Sequence, residues 1–132
     1  MTELDAMLAL AREVRERAYA PYSSYHVGAV VRALDGELFA GCNVENAAYP
    51  QGTCAEAGAI AAMVAAGQRT IVEVLVMGPR GRACTPCGGC RQKLAEFSAA
   101  QTPVHICDPD GVLMSSTVGA LFPHAFALEA SS

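Results

Sequence analysis

The stretch "TIVEVLVM", residues 70 to 77, is β-branched or aliphatic almost throughout and contains one acidic residue. A strand with one face in water alternates apolar and polar side chains, whereas a nearly continuous apolar run is typical of a strand covered on both faces. The stretch therefore predicts a central strand with helices packed on both sides of its sheet, which is the α/β class.

Helical patterns flank this strand. The alanine-rich segment 54–66 ends at Gly67, which favours a buried helix closed by a glycine. The segment "CGGCRQKLAEFSA", residues 87–99, predicts a second helix with Leu94 and Phe97 facing inward. Two helices on either side of one strand in sequence indicate a layered domain.

The remaining elements complete the pattern. Near the N-terminus, Thr2 can cap a helix whose apolar positions continue to Ala18, and Pro21 requires that helix to end before it. Residues 27–34 and 37–44 surround an Asp-Gly pair and predict a hairpin. Residues 103–107 and 112–116 predict two further strands, the last at an edge, and a short C-terminal helix follows. We expect one domain, residues 1–132, with three α/β/α layers around a mixed five-stranded sheet.

Charge and composition exclude some classes of function. The formal net charge is −4 and the nine Lys and Arg residues are scattered, so the sequence predicts no nucleic-acid partner. No run of 18 apolar residues is present, so no membrane partner is expected. The start "MTELDAMLALAREVRERA" is acidic, unlike an export signal, and predicts a cytoplasmic protein. There, six cysteines are expected to be thiols, which makes metal binding the first possibility to consider.

Two of these thiols stand at C-x-x-C spacing in "PCGGC", as Cys87 and Cys90. At the start of a helix this spacing suits a zinc ion, and it also suits a redox pair of the thioredoxin type. Cys54 favours zinc, because it begins the other helix and three thiolates leave the fourth zinc position open for catalysis. Glu56, two residues later, can reach a water at that position without being a ligand. The combination of C-x-E with a later P-C-x-x-C is the pattern of zinc deaminases.

The other cysteines and the histidines are less informative. Cys84 offers a second C-x-x-C pair with Cys87, but it precedes Pro86 and is expected in the loop before the helix. Cys42 and Cys107 fall in predicted strands and are interpreted as small buried apolar residues. His26, His105 and His124 are isolated in sequence and predict packing or surface roles.

Several further segments resemble the small homotetrameric cytidine deaminases. "PYSSYHVGA" resembles the family's P-Y-S-x-F/Y-x-V-G-A, and "GCNVENAAYP" resembles its G-x-N-x-E-N-A-x-Y. "PCGGCRQ" resembles P-C-G-x-C-R-Q, and "LFPHAF" resembles L-L-P-x-x-F near the C-terminus. The resemblance covers nearly the whole chain and implies one Zn²⁺ per subunit and a homotetramer with shared active sites.

The resemblance also implies roles for individual residues. Asn43 and Glu45 match the pair that binds the ribose hydroxyls, and two residues this far apart on an extended strand face one side. Tyr25 matches the aromatic that packs on the pyrimidine, and Ala55 is expected to contact the substrate. Phe126 matches an aromatic that reaches a neighbouring subunit's site. Glu56 is expected to carry protons between water and the pyrimidine.

One position departs from the family pattern. Many members have an Arg directly after the glutamate, where it hydrogen-bonds the zinc thiolates, and this chain has Ala57. Three thiolates and one Zn²⁺ carry a formal charge of −1, so another cation is expected to compensate. Arg91, directly after Cys90, is our candidate.

The activity implied is hydrolytic deamination of cytidine and 2′-deoxycytidine for pyrimidine salvage. Three alternatives stay open on the sequence: a deaminase of the blasticidin S type, a nucleic-acid-editing deaminase, and a structural zinc module. A structural module would have four protein ligands and no use for Glu56.

Overall fold

The computed structural model describes residues 2–129. The helices are α1 (Glu3–Arg15), α2 (Ala55–Ala65), α3 (Gly88–Phe97) and α4 (Val118–Leu121). The strands are β1 (Gly28–Ala33), β2 (Leu38–Cys42), β3 (Ile71–Met77), β4 (Pro103–Asp108) and β5 (Gly111–Thr117), and a 3₁₀ turn covers Tyr49–Gln51. No helix among residues 2–129 is both long and apolar enough to cross a bilayer.

The five strands form one mixed sheet in the order β2-β1-β3-β4-β5. The pair β3–β4 is parallel and the other three pairs are antiparallel. Strand β3 is central, as its continuous apolar run predicted, because both of its faces are covered. The predicted fold class is confirmed, including the edge position of β5 and the short helix after it.

Two apolar cores separate the three layers. Helix α1 packs on one face of the sheet through Met7, Leu8 and Ala11, and helices α2 and α3 cover the other face. Helix α2 lies directly on β2, because a Cβ at Gly41 would stand 2.4 Å from the Ala59 nitrogen and 2.5 Å from the Ala55 oxygen. A side chain at position 41 would therefore push the helix that carries Glu56 away from the sheet.

A polar network crosses the sheet on the face that carries α1. Glu73, the single acid of the central strand, accepts a hydrogen bond from Arg32 (Nη2 to Oε1, 2.6 Å). Its other oxygen lies 2.7 Å from Nε2 of His105, whose Nδ1 lies 2.8 Å from the Ser115 hydroxyl. His105 therefore links neighbouring strands. Its isolation in sequence gave no sign of these two partners, although the packing role predicted for it agrees with them.

The first helix is shorter than its apolar periodicity predicted. Thr2 caps it with a full capping box, as expected, but it ends at Arg15 and does not reach Ala18. The reason is tertiary: Tyr19 forms a bridge with Val44, with the Tyr19 N–H donating to the Asn43 oxygen at 3.0 Å. The chain must leave the helix early to lie extended beside residues 43–45.

Candidate active site and metal centre

Two helix N-termini meet at the site. Cys54 is the N-cap of α2 and Cys87 is the N-cap of α3, and neither cap is satisfied by a side-chain hydrogen bond. The partial positive charge at a helix N-terminus stabilises a nearby thiolate. The fold therefore brings two favourable thiolate positions together from distant parts of the sequence.

The thiols of Cys54, Cys87 and Cys90 lie within 4.8 Å of one another, and the Cys54 and Cys87 sulfurs are 4.0 Å apart. Two sulfurs bound at 2.3 Å to a tetrahedral zinc lie about 3.8 Å from each other, whereas a disulfide requires about 2.05 Å. The cluster thus has the donor chemistry and the spacing of a zinc centre.

The three thiols differ in how readily they ionise. Burial is the main reason that the pKa values of the Cys54 and Cys90 thiols lie above their ordinary range. A hydrogen bond from the Cys90 backbone is the main reason that the pKa of Cys87 lies below its ordinary value. Cys87 is therefore the thiol that most readily forms the thiolate needed to bind a cation. Coordination would ionise the other two thiols as well.

Glu56 is the second residue of α2, and only 4% of its surface is exposed. Burial raises the pKa of this carboxyl, and hydrogen bonds with its own backbone and with the Cys90 side chain, followed by the Lys93 charge, oppose that effect. The carboxyl lies in the same cavity as Cys54 and Cys87. A buried carboxyl at this position can both accept and donate a proton.

The cavity has a volume of about 340 Å³. Most of the predicted site residues line it: Tyr25, Asn43, Glu45, Cys54, Ala55, Glu56 and Cys87. Cys90, the buried member of the thiol cluster, does not line the cavity, and Phe126 lies outside it with 67% of its surface exposed. Cys84 also lines the cavity but is not part of the thiol cluster, which agrees with its predicted place in the loop before α3.

Asn43 and Glu45 are fixed by the loop that precedes β1. The Asn43 amide accepts from the Val27 N–H at 2.9 Å and donates to the Tyr25 oxygen at 2.7 Å. Glu45 accepts from the Tyr22 N–H, the Ser23 N–H and the Ser23 hydroxyl, and the hydroxyl bond is the main reason that its pKa is lowered. An amide and a carboxylate each keep further hydrogen-bonding positions beyond these, so both can still bind hydroxyl groups.

Tyr25 forms part of the cavity wall and has two partners that sequence reasoning missed. The Arg82 guanidinium lies 5.7 Å from the centre of its ring, which is a cation–π distance. A hydrogen bond with the Cys84 side chain, together with partial burial, raises the pKa of the Tyr25 hydroxyl. Cys84 fits there because Gly78 has no side chain: a Cβ at that glycine would stand 2.3 Å from the Cys84 Cβ.

Arg91, our candidate cation, lies beside the metal loop. Its hydrogen bonds among residues 2–129 run to carbonyl oxygens, from Nε to Pro86 at 2.7 Å and from Nη1 to Leu121 at 2.6 Å. Lys93 lies beside the same loop, since a Cβ on Gly89 would stand 3.6 Å from its ammonium nitrogen. Lys93 therefore supplies positive charge over the C-x-x-C segment of a chain that has Ala57.

Comparison with known proteins agrees with this geometry. The family profile described as "Cytidine and deoxycytidylate deaminase zinc-binding region" matches residues 1–106. The chain belongs to this deaminase family. A cytidine deaminase of Sporosarcina psychrophila is 38% identical over 127 residues, which covers 96% of this chain and 93% of the relative. A cytidine deaminase of Halalkalibacterium halodurans is 40% identical over 117 residues, which covers 89% of each protein.

Solved structures of this deaminase family share the fold. The crystal structure of cytidine deaminase from Burkholderia pseudomallei superposes with a TM-score of 0.88 at 39% identity, covering 96% of this chain and all of that one. The crystal structure of cytidine deaminase from Mycobacterium tuberculosis gives a TM-score of 0.84 at 30% identity, covering 97% of this chain and all of that one. The family zinc region and the thiol cluster together identify the cofactor as Zn²⁺, with Cys54, Cys87 and Cys90 positioned to bind it.

Proposed function

We propose that this protein is a zinc-dependent cytidine deaminase that converts cytidine and 2′-deoxycytidine to uridine and 2′-deoxyuridine with release of ammonia. The observation that carries the proposal is the buried carboxyl of Glu56 in one cavity with a thiol cluster of zinc spacing. The named activity of relatives that align over most of the chain supports the same reaction.

The zinc held by Cys54, Cys87 and Cys90 would lower the pKa of water at its open position. Glu56 accepts a proton from the attacking water and delivers it to N3 of the pyrimidine as the oxygen adds to C4. It then moves a second proton to the amino group, which leaves as ammonia while the C4 carbonyl forms. One carboxyl group thus serves both directions of proton transfer, and its burial keeps bulk water away from these steps.

The rest of the cavity would orient the nucleoside. Asn43 and Glu45 offer donor and acceptor groups to the ribose hydroxyls, and their bonds to the loop of residues 22–27 fix their directions in advance. Tyr25 packs against the pyrimidine, and Ala55, 1% exposed at the start of α2, lies under it. Pre-oriented groups such as these lower the barrier by holding the reacting atoms in position.

We also propose a homotetramer in which Phe126 enters the site of a neighbouring subunit. Support comes from its position outside its own cavity and from its exposure of 67%, with Leu128 at 81% close by. Exposed apolar side chains close together are typical of a surface that contacts another protein. Light scattering should give four times the chain mass, and an active monomer would contradict this assembly.

We place the reaction in pyrimidine salvage in the cytoplasm. All six cysteines are free thiols, which fits a reducing compartment. The partners that we propose are the nucleoside substrate and further copies of this chain.

A single assay tests the activity. Purified protein of measured zinc content is added to cytidine, to 2′-deoxycytidine and to blasticidin S, and the loss of the aminopyrimidine absorbance is followed. Turnover of both nucleosides supports the proposal. Turnover of blasticidin S alone would favour the other deaminase type, and zinc without turnover of any substrate would favour a structural role.

A further inference from the structure

Two residues that follow the buried zinc ligand Cys90 hold the C-terminal part of the chain. Arg91 donates from Nη1 to the Leu121 oxygen at 2.6 Å, and Gln92 donates from Nε2 to the Phe126 oxygen at 3.0 Å. Both donors lie on α3, and both acceptors are main-chain carbonyls about 30 residues later. The segment 121–126 is thus attached to α3 at its two ends.

Between these two attachments the chain adopts an uncommon conformation. His124 has a φ of 55°, in the left-handed region that few residues other than glycine occupy. Such conformations persist where the surrounding structure fixes them at more than one point. The two hydrogen bonds from α3 supply those points, and together they determine where Phe126 leaves the fold.

The fixed residue does not serve the core of its own chain. Phe126 exposes 67% of its surface, whereas apolar residues held in the interior, such as Leu94 of α3, are almost fully covered. Ordering a chain segment costs backbone entropy, and an exposed aromatic returns little of that free energy within the subunit. Holding this segment in place becomes energetically favourable when another surface covers the Phe126 ring.

We infer that Arg91 and Gln92 are positioning residues that present Phe126 to the active site of a neighbouring subunit. The inference rests on the proposed shared site and adds the residues that hold it in place. Arg91 also donates to the Pro86 oxygen at 2.7 Å, directly before the ligand Cys87. One guanidinium therefore fixes both the metal loop of its own subunit and the segment offered to the next.

Gln92→Met is the test variant, because it keeps the length and the helix propensity of the side chain but removes the donor. One net hydrogen bond corresponds to a change of about 3- to 10-fold in the fraction of correctly placed segment. We expect KM for cytidine to rise by this factor, with kcat within about twofold and zinc content unchanged. Gln92→Lys keeps a donor and should restore KM. Glu96→Met introduces the same side chain one turn later on α3, at a residue that lies beside Phe126 and Leu128, and should behave as the wild type.

Mixed oligomers then decide whether the effect acts between subunits. Wild-type subunits are co-expressed with Glu56→Gln/Gln92→Met subunits carrying a different tag, so that working sites have neighbours with a loosened segment. KM should rise in these mixtures and stay at the wild-type value when the partner carries Glu56→Gln alone. An unchanged KM in the first mixture overturns the inference.

Phe126→Ala separates this inference from the function on which it rests. If Phe126→Ala raises KM and Gln92→Met does not, the shared site stands and the positioning role of Gln92 is wrong. If neither variant changes KM, the shared site itself is wrong, and the inference fails with it. A Gln92→Met protein that loses zinc or its oligomeric state while Gln92→Lys does not would assign Gln92 to folding and would also overturn the inference.

Discussion

The sulfurs of Cys54 and Cys87 lie 4.0 Å apart, although 33 residues and the central strand β3 separate them along the chain. With Cys90 they join the starts of α2 and α3 on one face of the sheet. A cation bound there connects the starts of two helices that come from distant parts of the chain, so the metal contributes to stability as well as to chemistry.

Removal of zinc should therefore affect both properties. A ligand present at 1,000 times its Kd stabilises the folded state by about 4 kcal/mol, which corresponds to roughly 10 °C or more in Tm for a domain of this size. We expect a chelator to abolish deamination and to lower Tm by that amount, and added Zn²⁺ to restore both. Calorimetry with and without the chelator measures the change in Tm. An equal Tm in the two samples would contradict the prediction that zinc stabilises the fold by connecting the two helices.

The thiol cluster provides a matched pair of variants. Cys90→Ser removes a thiol of the cluster, whereas Cys84→Ser changes a thiol that lines the same cavity outside it. We expect Cys90→Ser to lose zinc and activity and Cys84→Ser to keep one zinc per chain, because only the first interrupts the donor set. Metal analysis of both purified proteins distinguishes them; loss of zinc from Cys84→Ser would mean that the ligand set is assigned wrongly.

Glu56→Gln separates proton transfer from metal binding. The amide has the size of the carboxyl but cannot carry protons, and general acid–base catalysis contributes about 10²- to 10⁴-fold. Turnover should fall by at least that factor with zinc content unchanged. Single-turnover assays on the metallated variant check this, and a variant that keeps a tenth of the wild-type rate would exclude Glu56 as the proton carrier.

Lys93 and position 57 allow a test of charge at the metal loop. Lys93→Met removes the ammonium over Gly89 and should lower kcat/KM roughly two- to fivefold, the size expected for an exposed charge. Ala57→Arg in that background introduces the side chain that many family members carry there and should recover most of the loss. If Lys93→Met has the wild-type kcat/KM at matched zinc content, the loop charge is compensated elsewhere.

Glu73 gives a prediction about stability and pH. Burial acts to raise the pKa of Glu73, but its hydrogen bonds with Arg32 and His105 together outweigh burial and lower the pKa below its ordinary 4.5. A carboxyl with a lowered pKa stabilises the fold above its ordinary pKa, and this contribution disappears as the pH falls through the folded value. Glu73→Gln should thus be destabilised by roughly 1–3 kcal/mol at pH 7 and converge with the wild type in acid.

Urea unfolding of both proteins from pH 7 down to pH 3 measures this difference. Glu37→Gln, at an exposed position in the hairpin turn, serves as the control and should follow the wild type throughout. A difference between Glu73→Gln and the wild type that grows toward acid would reverse the sign of the argument.

Local sequence patterns predicted the elements whose causes are local. The β-branched run of residues 70–77 indicated β3, and the thiol spacing indicated the cluster that the structure brings together. What the sequence missed came from distant contacts. Helix α1 ends early because Tyr19 pairs with Val44, and no local pattern predicted the hydrogen bond from Arg91 to the Leu121 oxygen, 30 residues away. The contact of Cys84 with Tyr25 depends on the space above Gly78, which no local pattern encodes.

The close approach of α2 to Gly41 limits how the enzyme could be redesigned. Since a Cβ at position 41 would stand 2.4 Å from the Ala59 nitrogen and 2.5 Å from the Ala55 oxygen, a substitution there would displace the helix that carries Ala55 and Glu56 rather than enlarge the cavity. Directed evolution toward a bulkier aminopyrimidine would have to gain its room at the entrance, around Tyr49 and Val44, which line the cavity from more exposed positions. A mutational library should concentrate its diversity there and leave the strand beneath the helix unaltered.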